Sequence, residues 1–389
     1  MGSGEIPFPS LSLIFLALLA SIAVLAWLSG ILWFLAFHRA PAHHATGRVT
    51  LVLAATGGGA QFAALLDALT RQTLMPARLI LCAESDADPV VSQARGTVLP
   101  FPMDIAIAGL AERCSQKGLN LAAGFALLDG GEDVIVLLDA DILPGPGWLS
   151  ALATPALNGA ADVVSGYRWH IPGGGPVRHA VVWFDRSLAL GPRFVASSVV
   201  WGGSIAIARD SFAAMRLAES LAKSFSTDGA ISRRAAETGA RMLTRRAVLL
   251  ATPPEGGEGS AWGFKRRQLQ ILRIYRPGFW VLLGVLLHME ACGLPLILIG
   301  AWWAAAPLAA LALLRVGLHA HVARRIGLPD SPAALLGQAL ASLFAPAFIL
   351  ALFWSSASWR VIRWRHVEYR VGGPDEVQVI HRDPPASLP

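Results

Sequence analysis

Long uncharged stretches lie toward both ends of the chain, and a region of short alternating runs lies between them. Leu11 to Phe37 contains no charged residue, and at about 1.5 Å per helical residue it is long enough to cross a bilayer. It ends in His38-Arg39, and a positive flank on that side predicts a cytoplasmic location for residue 39 onward. A cleaved signal peptide is disfavoured, because the basic leading segment is missing and the apolar run is too long. A second apolar block, Phe279 to about Leu314, is interrupted by Gly293-Leu294-Pro295, Gly300 and Pro307, which predicts two helices at roughly 279–299 and 302–320. A basic polar stretch, Arg315 to Asp330, separates it from a third run, Ala333 to Trp354. Beyond that the chain is basic again, with Arg360, Arg363, Arg365, His366 and Arg370. Three spans after a cytoplasmic middle would put this tail outside, against the positive-inside rule, so one of the three is expected to be re-entrant or interfacial. His288, Glu290 and Arg315 fall in the apolar block and need partners, a cavity or an interface to snorkel to.

The middle, residues 48–277, reads differently. Val49 to Ala55, Arg78 to Cys82 and Asp133 to Leu138 are buried-strand patterns, and Gln61 to Gln72 and Leu119 to Leu128 have helical spacing. Strands alternating with helices predict a mainly parallel sheet with right-handed crossovers, which binds ligands beyond the carboxyl ends of its strands. The first strand runs into Gly57-Gly58-Gly59, which fits neither GxxxxGK[ST] nor GxGxxG and is expected to be a strand-to-helix turn able to approach a ligand.

Composition fits this division. Of 389 residues 54% are hydrophobic and 15% charged, against roughly 25% charged in an ordinary soluble domain. That excludes disorder. The three cysteines, Cys82, Cys114 and Cys292, have no paired spacing, which excludes a disulfide scaffold. The net charge of +6 gathers beside the apolar runs and suits anionic headgroups, not nucleic acid. The thirteen tryptophans suit membrane interfaces as well as cores.

Candidate chemistry is acidic. Asp139-Ala140-Asp141 follows five apolar residues, Val134 to Leu138. Two carboxylates at a strand end can hold a hard cation such as Mg²⁺ or Mn²⁺, with substrate phosphates supplying the other oxygens. Acidic residues also close the second strand, at Glu84-Ser85-Asp86-Ala87-Asp88-Pro89.

Several stretches in fixed order, Leu79 to Pro89, Lys117-Gly-Leu-Asn-Leu121, Asp139-Ala-Asp141, Val200-Trp-Gly-Gly-Ser204, Phe225-Ser-Thr-Asp228 and Gln270-Ile-Leu-Arg273, resemble glycosyltransferase family 2, and more closely its ceramide glucosyltransferase-like (family 21-type) branch. The resemblance covers about residues 48–277. Two positions depart from it. Ile274 stands where the family has Trp, with Arg267-Gln268 as a competing registration, and Ser85 falls on the family's first Asp, with Glu84, Asp86 and Asp88 as substitutes.

The resemblance implies a GT-A-type α/β domain with a mainly parallel sheet, flanked by transmembrane helices, that moves a hexose with inversion from a UDP-sugar. Asp228 would be the catalytic base, its alternative reading being a helix N-cap. Asp139 and Asp141 would hold the metal. Glu84, Asp86, Lys117, Asn120, Asp139, Gln270 and Arg273 would bind the nucleotide-sugar. Trp201, Gly202 and Gly203 would line the sugar and acceptor pocket, with a core role as the alternative for Trp201. The expected domains are an anchor at 1–40, the cytoplasmic transferase at 48–277, two or three membrane helices at 278–357 and a basic tail at 358–389. The expected acceptor is a membrane lipid such as ceramide, with a hopanoid, diacylglycerol or polyprenyl phosphate as alternatives, and the expected location is multi-pass in a bacterial inner membrane. A processive polysaccharide synthase and a non-catalytic membrane scaffold are the rival readings. Trp364-Arg-His-Val-Glu-Tyr-Arg-Val371 resembles a W-R-x-x-x-Y-R stretch of related bacterial enzymes; its alternation predicts a small hairpin.

Overall fold

The computed structural model describes residues 46–190, 199–252, 258–291, 305–357 and 360–383. The expected anchor at 1–40 and the Gly293-Leu294-Pro295 interruption lie outside the described residues.

A seven-stranded sheet organises the middle of the chain. Its strands are β1 (Val49–Ala54), β2 (Arg78–Ala83), β3 (Met103–Ile107), β4 (Val134–Asp139), β5 (Val163–His170), β6 (Ser204–Ala208) and β7 (Met242–Thr252). Their spatial order is β3-β2-β1-β4-β6-β5-β7. β1 to β4 are parallel, β6 is antiparallel to both its neighbours, and β5 pairs β7 in parallel. The sheet is therefore mainly parallel, as expected.

β4 shows why an unbroken apolar run forms a strand here. Val134, Val136 and Leu138 enter one core, whereas Ile135 and Leu137 enter the other. Each face is buried, so period-two alternation gives a continuous hydrophobic string. The first core packs α1 (Ala60–Thr70), α2 (Pro89–Arg95) and α4 (Trp148–Leu157) on the sheet; the second packs α3 (Gln116–Phe125), α6 (Arg209–Met215), α7 (Leu217–Leu221) and α8 (Thr227–Glu237).

Four longer helices form a separate layer: α5 (Pro176–Leu190), α9 (Glu258–Tyr275), α10 (Pro277–Ala291) and α12 (Pro332–Ser355) share a core of Trp183, Phe184, Leu269, Leu283, Leu287, Ile349 and Phe353. The fifth, α11 (Ala305–Arg325), packs Val322 and Ala323 on Trp169. Against the predicted 279–299 and 302–320, α10 opens at 277 and α11 runs to 325, while the predicted boundaries at 299 and 302 lie outside the described residues. Pro277 opens α10, where its missing N–H is not needed, and α11 runs through the stretch read as polar. Arg315 lies inside α11 and donates to Glu290 at 2.7 Å, while His288 bonds Gly284 O at 2.7 Å and accepts from Trp354 Nε1 at 3.2 Å. The three ionisable groups of the apolar block thus have partners, as their cost requires.

Among the described residues only α12 is long and apolar enough to cross a membrane, and α10 is a shorter apolar helix. α12 buries Ala341, Ala345, Ile349 and Leu352, yet exposes Leu336, Leu340 and Leu343 on another face. A helix apolar on both faces suits a nonpolar environment.

The tail forms more than a hairpin: β8 (Val361–Trp364), β9 (Val367–Gly373) and β10 (Glu376–Arg382) make a three-stranded antiparallel sheet. Its apolar face (Ile362, Val367, Tyr369, Val371, Val377) closes over Phe225, flanked by Ile271 and Ile274 of α9. Ile274, in the place of the expected Trp, therefore packs against the tail.

Candidate active site

The site lies at the carboxyl ends of β1 and β4, which are in register from Val49↔Val134 to Ala54↔Asp139. β1 ends in the glycine turn, where Gly57, Gly58 and Gly59 have φ of 80°, 68° and 100°, a region other residues enter at a cost. Asp88 pins the turn. Its carboxylate caps α2 by accepting from Val90 N at 3.0 Å and also accepts from Gly57 N at 2.8 Å and Thr56 Oγ1 at 2.7 Å. The family-like acidic segment thus reaches the cleft through Asp88, as a structural clasp.

Lys117 gathers the carboxylates. It sits in the first turn of α3, which Ser115 caps by accepting from Gly118 N at 3.1 Å. Its ammonium forms an ion pair with Asp139. Burial pushes its pKa down, but Asp139, Asp228 and Asp141 outweigh that and hold it above the ordinary lysine value. The three aspartates expected to act together are therefore assembled around one cation, from strand β4, the segment after it and helix α8.

Asp228 occupies the first turn of α8 but is not its cap; Ser226 is, accepting from Gly229 N at 3.1 Å. That removes the bland reading of Asp228. Loss of hydration raises its pKa, Lys117 opposes, Asp139 adds to the rise, and the Gly202 N–H and Arg168 oppose again. The balance lies above the ordinary carboxylate value, which suits a proton acceptor.

Gly202 permits this approach: a Cβ there would lie 2.3 Å from Asp228 Oδ1 and 3.1 Å from Lys117 Nζ. The Trp201 ring is buried in the first core and covers Gly203, whose Cβ would lie 2.3 Å from it, while the Trp201 backbone N–H donates to Ser165 Oγ at 2.8 Å. Trp201 and Gly203 therefore fix the loop that carries Gly202.

The expected nucleoside residues divide. Glu84 is 4% exposed; its Oε2 accepts from Arg382 Nη1 at 3.0 Å and lies 3.3 Å from His366 Nε2. Tail residues thus occupy the carboxylate expected to face a nucleoside. Asp86 is exposed and pairs with Arg95 on α2, away from the carboxylate cluster. Asn120 is buried, accepting from Gln116 Nε2 at 2.8 Å, and Gln116 Oε1 in turn accepts from Arg382 Nη2 at 2.9 Å. Arg382 of the tail thus bonds both Glu84 and the Gln116 that holds Asn120, a cation that a reading confined to residues 48–277 omits.

On α9, Gln270 is buried and Arg273 half-buried. Burial and neighbouring Arg360 hold the Arg273 pKa below the ordinary arginine value. The α9 cation stacked on Trp364 of the tail is Arg267, 5.6 Å from the ring centroid. Tyr275 has a role that no motif announces. Its hydroxyl accepts from Phe225 N and Ser226 N, each at 3.0 Å, and donates to Pro374 O at 2.9 Å. Its ring fills the space beside Gly229, whose Cβ would lie 2.5 Å from it. Only its place two residues after Arg273 marks it in the sequence.

Behind the cleft lies a buried ionic cluster. Asp185 of α5, 1% exposed, pairs with Lys265 of α9 and lies 2.9 Å from His170 Nε2 and 3.6 Å from Arg168 Nε. Arg168 also feels Asp228 and Asp139, so the cluster borders the candidate carboxylates.

The residues present fit a divalent cation of the hard, oxygen-preferring kind. Asp141 lines a small cavity with Ala55, Thr56, Gly58, Gln61, Phe62, Val90, Ala140 and Arg365, and Asp139 is two residues away. Among the described residues no group of three or more acidic, His or Cys side chains is placed to hold a metal, so substrate phosphates would have to supply further oxygens.

No family model and no curated protein matches the chain. Among solved structures, a mannosyltransferase from Pyrobaculum calidifontis bound to GDP-Man and Mn²⁺ is similar at 19% identity, over 86% of this chain and 99% of that one, with a TM-score of 0.43. Glucosyl-3-phosphoglycerate synthase from Mycobacterium tuberculosis is similar at 17% identity when bound to phosphoglyceric acid, over 58% of this chain and 79% of that one, with a TM-score of 0.40. Its complex with Mn²⁺ and UDP-glucose is similar at 16% identity, over 58% of this chain and 78% of that one, with a TM-score of 0.40. Likenesses of this order leave the activity of the chain to be argued from its own residues.

Proposed function

We propose that the protein is a membrane-bound inverting glycosyltransferase of the GT-A type that moves a hexose from a nucleoside-diphosphate sugar, preferentially UDP-linked, to the hydroxyl of a membrane lipid. The observation that carries this reading is the convergence of Asp139, Asp141 and Asp228 on Lys117 beside the glycine turn. Asp228 accepts the proton of the acceptor hydroxyl; that oxygen attacks the anomeric carbon, and the bond to the diphosphate breaks with its electron pair leaving on the diphosphate. A divalent cation held by Asp141 and Asp139 would neutralise charge on the leaving group. Lys117 orients Asp139 through their ion pair. Gly202 holds Asp228 against the floor of the cleft.

The lipid acceptor is supported by the exposed apolar residues of α10 and α12, among them Val281, Leu282, Val285, Leu340 and Leu343. The helices bearing them share one core with α9, which also carries Arg267. Ceramide is the acceptor named by the family resemblance; a cytoplasmic-facing catalytic domain follows from the charge flanking residues 11–37.

The test is lipid extraction and mass spectrometry of cells expressing the wild type or Asp228→Asn. A new hexosyl-lipid is expected in the first and at least about 100-fold less in the second, the lower range for loss of a general base. Equal amounts in both, or polymer in place of glycolipid, would refute the reading.

A further inference from the structure

The cleft is not built by the α/β domain alone. Trp364, Arg365 and His366 form the tip of the β8–β9 hairpin, whose register closes at Trp364↔Val367. The two intervening residues make the tight turn. Arg365 has φ 55°, a left-handed conformation that costs a side-chain-bearing residue about 1 kcal/mol or more and for which Gly or Asn is the usual choice. A residue kept at such a cost points to a task for its side chain.

The three tip residues each meet a different wall of the cleft. His366 meets Glu84 at the end of β2. Trp364 lies between Lys117, 6.0 Å from its ring centroid, and Arg267, 5.6 Å away, and its ring is 5.8 Å from that of Phe225. Arg365 lines the same cavity as Asp141, Thr56 and Gly58. Two neighbouring arginines of the tail have acidic partners: Arg363 donates to Asp383 at 2.6 Å and Arg382 to Glu84 at 3.0 Å. The Arg365 guanidinium has no ion pair among the described residues, although Asp141 lines the same small cavity.

We propose that Arg365 is a phosphate-binding residue of the donor site, so that the tail sheet completes the pocket for a nucleoside diphosphate. The inference rests on the glycosyltransferase reading above and adds to it a ligand-contacting residue from outside the transferase domain. The planar fork of arginine suits bidentate contact with phosphate. Its position beside Asp141 places it where the diphosphate meets the cation. The Glu84 pairs with His366 and Arg382 anchor the hairpin, so the tip is held in the cleft from the β2 side.

The experiment uses the full chain in lipid nanodiscs. UDP, GDP and the phosphate-free nucleosides uridine and guanosine are titrated by calorimetry in Mn²⁺, with wild type, Arg365→Ala, Arg365→Lys and Asp141→Asn. For whichever diphosphate the wild type binds, Arg365→Ala is expected to weaken binding by about tenfold or more, the loss of a charge-assisted hydrogen bond. Arg365→Lys is expected to fall between, and nucleoside binding to be unchanged. A fold defect would weaken nucleoside and diphosphate alike, and that result overturns the proposal. So does unaltered or tighter diphosphate binding in Arg365→Ala, the latter identifying the tip as an inhibitory plug. If Arg365→Ala binds normally while Asp141→Asn does not, the inference falls and the glycosyltransferase reading stands. If the wild type binds neither diphosphate, both fall.

Discussion

Asp228 and Gly202 form a pair that only the folded chain reveals. The sequence marks Asp228 by its place in a motif series and marks Gly202 only as part of a Gly-Gly step; in the fold, a Cβ at Gly202 would meet the Asp228 carboxylate. Gly202→Ala would place a methyl 2.3 Å from Asp228 Oδ1, and the carboxylate must move. The variant is expected to keep its melting temperature within a few degrees, because the loop can shift locally, and to lose at least about tenfold in kcat, since small misplacement of a catalytic group is costly. Steady-state kinetics with thermal denaturation checks this; full activity would show that the packing is not tied to catalysis. At this scale Asp139 and Asp141 were legible, because they end a buried central strand where parallel sheets bind ligands. Glu84 was not, because its partners Arg382 and His366 come from the tail.

Among the elements, α9 has two duties. Its apolar residues join the apolar helices α10 and α12, and Tyr275 at its end clasps the segment entering α8. Tyr275→Phe keeps the ring against Gly229 but leaves the Phe225 and Ser226 N–H groups without an acceptor, at about 1–3 kcal/mol for each buried group. Faster amide exchange at residues 225–228 and a lower kcat with little change in donor KM are expected; unchanged exchange would assign the role to the ring alone. The strands β1, β2 and β4 were readable because each is buried on both faces and so is continuously apolar. β5 was not, because it carries Arg168 and His170, and these are tolerated only through Asp185 on α5, a pairing that no local pattern encodes. The tail hairpin was readable from the alternation of Val367, Tyr369 and Val371, whereas its docking on Phe225 depends on residues far away in sequence.

The molecule as a whole depends on contacts between its two layers. Desolvation opposes the Asp185 charge, but Lys265, Arg168 and His170 hold its carboxyl well below the usual range. The stabilisation is therefore fully present above the unfolded carboxylate value of about 3.9 and is lost as pH falls below it toward the folded value, because the unfolded chain then binds the extra proton. The melting temperature is expected to drop below about pH 4. Asp185→Asn should flatten that slope and cost about 3–5 kcal/mol near neutrality, by leaving Lys265 and Arg168 uncompensated; a melting series from pH 3 to 8 tests both. The apolar outer face makes a separate prediction. Leu340→Glu with Leu343→Glu on α12 should shift protein from the membrane to the aqueous fraction, at up to about 2.5–3.5 kcal/mol per charge in a bilayer, and unaltered partition would place that face outside the lipid.

Arg382 reaches back across 298 positions to Glu84, and that span has a consequence for biogenesis. The apolar helices α10 to α12 precede the β8–β10 sheet in the chain, so a nascent chain holds an unfinished cleft until its last strands are made. Contacts this distant also form late in folding, since long loops must close first. The order of synthesis thus acts as a timer: the cleft is completed only after α10 to α12 have been made.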